Sequence, residues 1–225
     1  MPAAVQTKPG LTGNQLKILA MIAMTCDHVG LQLLPQLGFL RIIGRLALPI
    51  YAYMVAEGCR YTRDRKKYLL RMAALALACQ IVYFVAMGSL YQCILVTFSL
   101  SICLICLADG LGQTGGRWKF CGMLGMVFFL CVVLPDIWRG TDFYIDYGLM
   151  GVLLPLLIYV GSIKGLTLGL VLLALVYGGN QWFALLAVPL LMLYNGQRGK
   201  AKIGKLFYWY YPVHLVAIYG LSLLL

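Results

Sequence analysis

Apolar runs follow one another along almost the whole chain, broken only by short polar turns. Most are about 17 to 22 residues long, enough to cross the hydrocarbon core of a bilayer as an α-helix. In lipid every backbone N–H and C=O must be satisfied within the chain, which leaves helices and closed barrels as spanning structures. Runs of this length lack the alternation of barrel strands of about ten residues, so they select helices. The expected fold is all-α, a polytopic integral membrane helical bundle. Nine spans fit, near residues 15 to 34, 39 to 58, 68 to 88, 91 to 109, 119 to 135, 146 to 162, 164 to 178, 180 to 194 and 206 to 224. Merging two of those between 146 and 195 leaves eight. No repeat or linker interrupts the series, so residues 1 to 225 read as a single transmembrane domain. The first run is too long, and too polar at its centre, for a cleaved signal segment, and reads as a retained span.

Only 11% of the residues are charged, yet the net charge is +11. In a soluble protein that excess would suggest nucleic acid, but here the cations cluster in loops after every second span, which is the positive-inside pattern. The densest loop holds Arg60, Arg63, Arg65, Lys66, Lys67 and Arg71. Placing it in the cytoplasm puts the N-terminus there too, with Arg117, Lys119, Lys164, Arg198, Lys200, Lys202 and Lys205 on the same face and Asp136, Asp142 and Asp146 opposite. The charge sets topology against membrane lipid, and no nucleic-acid partner is expected. All eight cysteines lie in or beside apolar segments. They read as packing residues, without a disulfide framework or a metal site.

Against this apolar background Asp27-His28 stands out midway along the first run. An ionisable group at such a position costs about 2.5 to 3.5 kcal/mol on insertion scales, so function is its default explanation, with a purely structural ion pair as the alternative. The chain has two histidines, His28 and His214. At 1.5 Å per residue they lie about 19 and 12 Å from the cytoplasmic starts of their spans, which lets them meet at similar depth. Asp27 and His28 point about 100° apart and cannot pair with each other. In the second span Arg41, Arg45, Pro49, Tyr53 and Glu57 recur at intervals of four and form one polar stripe. Arg45 lies at the depth of Asp27 and is its expected partner, whereas Arg41 suits an interfacial residue that snorkels. Pro49 cannot bond the Arg45 carbonyl, so a kink is expected there.

Glu57, Arg60 and Tyr61 close the stripe beside the basic loop. With Lys67, Arg71 and Arg198 they suit the phosphates of a nucleotide-like cofactor, the alternative being topology and anionic lipid alone. Tyr211 faces His214 from three residues away and is a candidate to orient its ring. Tyr144 and Asp146, at the outer start of the sixth span, are candidates with Arg41 and Tyr53 for the acceptor side.

Several stretches then fall into a familiar order: Asp27-His28-Val29-Gly30, Gly44-Arg45-Leu46-Ala47-Leu48-Pro49, Glu57-Gly58, Lys67-Tyr68-Leu69-Leu70-Arg71, Asp146-Tyr147-Gly148, Tyr194-Asn195-Gly196-Gln197-Arg198-Gly199 and Tyr210-Tyr211-Pro212-Val213-His214. Together they resemble the TraX family of bacterial membrane proteins. Between residues 89 and 140 the resemblance thins, and Gln92 stands where the family pattern has Asn. The resemblance implies a multi-pass protein of the bacterial cytoplasmic membrane that takes an acetyl group from acetyl-CoA to a pilin-like N-terminus or a small-molecule acceptor. On that reading His28 or His214 is the general base, or forms a transient acetyl-histidine. Arg45 holds Asp27 or a developing oxyanion, and Asp27 orients His214. The rivals are a proton-coupled transporter using the same buried groups and a noncatalytic envelope or pilus assembly protein.

Overall fold

The computed structural model describes residues 9–200 and 204–224. The start of the polar N-terminal stretch, residues 1–8, and Lys202, whose cytoplasmic placement the charge pattern implies, lie outside them. In chain order the helices are α1 (Gly13–Gln32), α2 (Gly38–Gly44), α3 (Ala47–Tyr61), α4 (Arg65–Met87), α5 (Ile94–Asp109), α6 (Gly116–Phe128), α7 (Leu134–Ile137), α8 (Gly148–Tyr177), α9 (Ala187–Met192) and α10 (Gly204–Ser222). A π-turn joins α6 to α7, and a 3-10 segment, Gly179–Leu186, precedes α9. Among the described residues no strand forms, only two isolated bridges. Among the described residues four stretches are long and apolar enough to cross a membrane: Gly38–Tyr61, Arg65–Val85, Gly116–Ile137 and Gly148–Tyr177. The protein is thus a helical membrane protein.

The helices fall into two compact units, Met1–Tyr51 with Asn180–Leu225, and Ala52–Gly179. In the first, Thr12 caps α1 through a capping box with Gln15, whose side-chain oxygen accepts the Thr12 N–H at 2.8 Å. The α1 start is tied to the segment before α10, because the N–H groups of Gly13 and Asn14 donate to the carbonyls of Gln197 and Arg198. The expected span 39–58 is broken at Arg45 and Leu46, whose N–H groups close tight turns onto Ile42 and Ile43. Pro49 explains the break. Its ring excludes the Arg45 carbonyl from an α-helical turn, and restarting α3 at Ala47 puts Pro49 in the first turn, where no N–H is missed. The expected span 180–194 is likewise not one α-helix, since it opens with the 3-10 segment.

In the second unit α5 packs on α8 through buried hydroxyls: Thr97 donates to the Asp146 carbonyl at 2.8 Å and Ser101 to the Val152 carbonyl at 2.8 Å. Such bonds hold helices together where water offers no competition. Helix α8 is not one rod. Ser162 sits at φ 51°, ψ −129°, and the chain reverses there. A Cβ on Gly165 would overlap the Leu157 carbonyl, and one on Gly169 would stand 2.6 Å from Leu154 Cδ1. At the open end the Tyr144 and Tyr177 hydroxyls lie 2.6 Å apart. Residues 148–161 and 163–177 are therefore antiparallel legs, each about 21 to 23 Å long at 1.5 Å per residue. The division read from the sequence near residue 162 corresponds to this turn.

Outside the helices, Asp142 accepts the Ser89 hydroxyl at 2.6 Å and the Leu90 N–H at 2.9 Å. These bonds, the Ser89 one foremost, hold its carboxyl below the usual range. A depressed carboxyl pKa contributes stability above the unfolded value, about 3.9, and loses it as pH falls through the folded value. Ser89→Ala should return the Asp142 titration toward the ordinary range, read by carboxyl-carbon NMR in nanodiscs; an unmoved titration would discount the bond. Gly165→Leu should prevent the α8 legs from meeting and cost about 3 kcal/mol or more, seen as a lowered melting midpoint in detergent, and a wild-type midpoint would refute the close approach.

Candidate functional site

Asp27 anchors the first unit. Its Oδ2 accepts Arg41 Nη1 at 2.8 Å, and its Oδ1 pairs with Arg45 Nη2. Arg41 also reaches the Asp27 carbonyl at 3.2 Å. The α1–α2 approach that allows this leaves no room at Gly44, where any Cβ would run into the Asp27 carboxylate. Side-chain exposure is 17% for Asp27, 28% for Arg41 and 11% for Arg45, so the three charges are largely withdrawn from solvent. One carboxylate against two guanidiniums leaves the cluster formally positive. Arg45 is fixed further by Nε donating to the Arg41 carbonyl at 3.3 Å and Nη1 donating to Gln181 Oε1 at 3.3 Å. Arg41 is thus an ion-pair partner of Asp27 rather than a simple snorkelling residue.

The histidines meet beside it. The His28 and His214 rings lie edge to face, with centroids 5.0 Å apart and planes at 74°. Each Nδ1 faces the carbonyl one helical turn back, His28 to Met24 at 2.8 Å and His214 to Tyr210 at 2.9 Å. A carbonyl only accepts, so each Nδ1 carries the proton and, in the neutral ring, each Nε2 keeps its lone pair. His214 is 7% exposed, and its Nε2 is buried with no hydrogen-bond partner among the described residues. Tyr210 stacks on the His214 ring at 5.1 Å and 7°, and Tyr211 meets it edge-on at 5.5 Å. Thr25 donates to the Met21 carbonyl at 2.9 Å, so its oxygen accepts the Tyr210 hydroxyl. Asp27 does not orient His214: both its oxygens are taken by arginine, and the Tyr210 carbonyl performs that task.

The remaining sequence candidates lie elsewhere. In the second unit Glu57, the chain's only glutamate, is buried and pairs with Arg60 at 2.7 Å. Arg60 also donates to the Ile158 and Tyr159 carbonyls at 2.9 and 2.7 Å. Those carbonyls end the first α8 leg, so Arg60 serves as its C-terminal cap and is not free for a phosphate. Arg65 pairs with Asp109 and donates to the Tyr159 hydroxyl at 3.0 Å. Tyr53 is buried and hydrogen-bonds Ser162. Lys67 is exposed beside Asp64 at 3.3 Å, while Tyr61, Arg71 and Arg198 are exposed. At the opposite end of the same helices Asp146 accepts the Tyr91 hydroxyl at 2.6 Å, near the Tyr144–Tyr177 pair. Gln92 acts there mainly through its backbone, accepting the Asp146 N–H at 3.0 Å and donating to the Tyr144 carbonyl at 2.8 Å. Among the described residues no three His, Cys, Asp or Glu groups converge as a metal site would need.

Sequence reading missed Gln181, Thr25 and Tyr210. The available signal for Gln181 was its position as the one non-aromatic polar side chain between Asn180 and Tyr194. Asp27→Asn should leave two guanidiniums facing each other without a counter-charge and destabilise the protein by about 3 kcal/mol, the low end for a buried pair because Arg41 keeps some exposure. Denaturant titration in bicelles checks this, and a midpoint equal to the wild type would contradict it.

A family model described as TraX protein matches residues 12–222. The chain is 26% identical over 238 aligned residues to a probable fimbrial assembly protein FimC, serogroup H1, of Dichelobacter nodosus, covering 91% of this chain and 93% of that one. A stretch of 38 residues is 58% identical to the uncharacterized protein RP591 of Rickettsia prowazekii, covering 17% of this chain and 15% of that protein. No solved structure matches. The family match runs from the Thr12 cap of α1 to Ser222 at the end of α10, and so takes in both histidines and the whole Asp27 cluster: the chain belongs to the TraX family.

Proposed function

We propose that the chain is a multi-pass acetyltransferase of the bacterial cytoplasmic membrane, moving an acetyl group from acetyl-CoA to an amine or hydroxyl acceptor. The observation that carries this reading is the histidine pair, above all the buried Nε2 of His214, which has no hydrogen-bond partner among the described residues. A lone pair held in place and shielded from water suits the proton traffic of acyl transfer. In this reading Nε2 takes the acceptor's proton as the acceptor bonds the acetyl carbon, and returns it to the departing thiolate when the C–S bond breaks. The surplus positive charge of Asp27, Arg41 and Arg45 favours the negative charge that develops on the acetyl oxygen. In the same unit exposed Arg198 and Lys200 offer the charge complement to the donor's phosphates, whereas Arg60 and Arg65 of the second unit are engaged within the protein. The charge pattern favours a cytoplasmic N-terminus and nine spans, which would put those cations where acetyl-CoA is made.

FimC's description as a fimbrial assembly protein favours a pilus-related role, with a pilin-like N-terminus as acceptor. It also favours a second reading, a noncatalytic assembly partner. Proteoliposomes given radiolabelled acetyl-CoA and a hydrophobic peptide with a free N-terminus separate the two. The wild type should acetylate the peptide, and a His28→Ala, His214→Ala double variant should lose about 100-fold or more. Undiminished transfer by the double variant would remove both bases. Neither transfer nor acetyl-CoA binding by the wild type would favour the assembly role.

A further inference from the structure

Gln181 is held in the 3-10 segment Gly179–Leu186 and is 4% exposed. Chemistry fixes the orientation of its amide. Arg45 Nη1 lies 3.3 Å from Gln181 Oε1, and a guanidinium can only donate, so the oxygen faces Arg45 and the NH2 group points away. Arg45 cannot turn aside, since its Nη2 is on Asp27 and its Nε is on the Arg41 carbonyl. The relay Asp27–Arg45–Gln181 therefore presets one amide donor, and that Nε2 is buried with no partner among the described residues. Burying an N–H2 unsatisfied is costly, and a protein retains such a group where something else completes it.

The same unit holds a second orphan of opposite polarity, the acceptor Nε2 of His214. A buried donor and a buried acceptor in one unit, each without a partner among the described residues, suit a ligand pair that brings a carbonyl oxygen and a labile N–H or O–H. An acyl thioester and its acceptor bring these two groups.

We propose that Gln181 Nε2 is the hydrogen-bond donor that holds the acyl carbonyl oxygen of the thioester during transfer. The assignment rests on the transferase reading above. As the acceptor's electron pair bonds the acyl carbon, its proton passes to the histidine and the carbonyl π pair moves onto the oxygen, where the Gln181 N–H meets it. When that pair returns, the C–S bond breaks and the thiolate leaves with the proton. Gln181 neither gains nor loses a proton. It acts on the oxygen, where a preset donor counts most.

Gln181→Glu separates this role from that of a prop for Arg45, because a carboxylate still accepts from the guanidinium but offers no N–H. In proteoliposomes with the same peptide acceptor, its kcat should fall by about 100- to 1,000-fold while the KM for acetyl-CoA stays within about threefold. Infrared spectra with acetyl-CoA labelled with carbon-13 at the carbonyl give a second reading, which on the wild type needs no folded variant. The bound thioester band should lie below that of the free thioester in the wild type and return toward it in Gln181→Glu. A kcat for Gln181→Glu within about threefold of the wild type, or an unshifted wild-type band, overturns the assignment and leaves the transferase reading standing. Absence of transfer by the wild type overturns both.

Discussion

The buried charge network of the first unit follows from placing one carboxylate, Asp27, inside an apolar helix. A charge withdrawn from water persists only when its partners are fixed and its remaining lone pairs are used. Two arginines, Arg41 on α2 and Arg45 at its C-terminal cap, meet both conditions, and they meet them only because Gly44 lets α2 approach α1 without a side chain between. Once Arg45 is committed to Asp27, its remaining N–H groups set the Gln181 amide and close onto Arg41. A single electrostatic requirement thus orders four side chains on three segments. His28 is adjacent in sequence to Asp27 but faces another way, which leaves its ring to meet His214 instead of the carboxylate.

Much of this geometry was legible from helical rise alone. Counting 1.5 Å per residue brings Arg45 to the level of Asp27 and His214 to that of His28, and the structure places each pair in contact. Arg41 was misjudged because the count assumed an unbroken helix. The interruption at Arg45 and Leu46 lets Arg41 turn inward, and the proline that causes it lies a full turn further on. The tautomers of the histidines were not legible at all, since they depend on side chains bending back to their own helical carbonyls.

Arg60 shows a different limit. A stripe of charges ending beside a basic loop looks the same in sequence whether it awaits a phosphate or caps a helix. The difference lies about one hundred residues downstream, at a reversal marked only by Gly161-Ser162. Gln181 escaped for a related reason: an isolated amide in an apolar run carries no periodicity, and it acquires meaning only through the guanidinium that orients it.

The reversal at Ser162 also bears on the membrane itself. Legs of about 21 to 23 Å fall short of a hydrocarbon core of about 30 Å. Such hydrophobic mismatch is relieved by thinning the bilayer locally or by drawing polar groups below the headgroup level. At the turn of this hairpin the polar groups at hand are the Glu57–Arg60 pair and the carbonyls it caps. Either relief shortens the path between aqueous phases beside this hairpin.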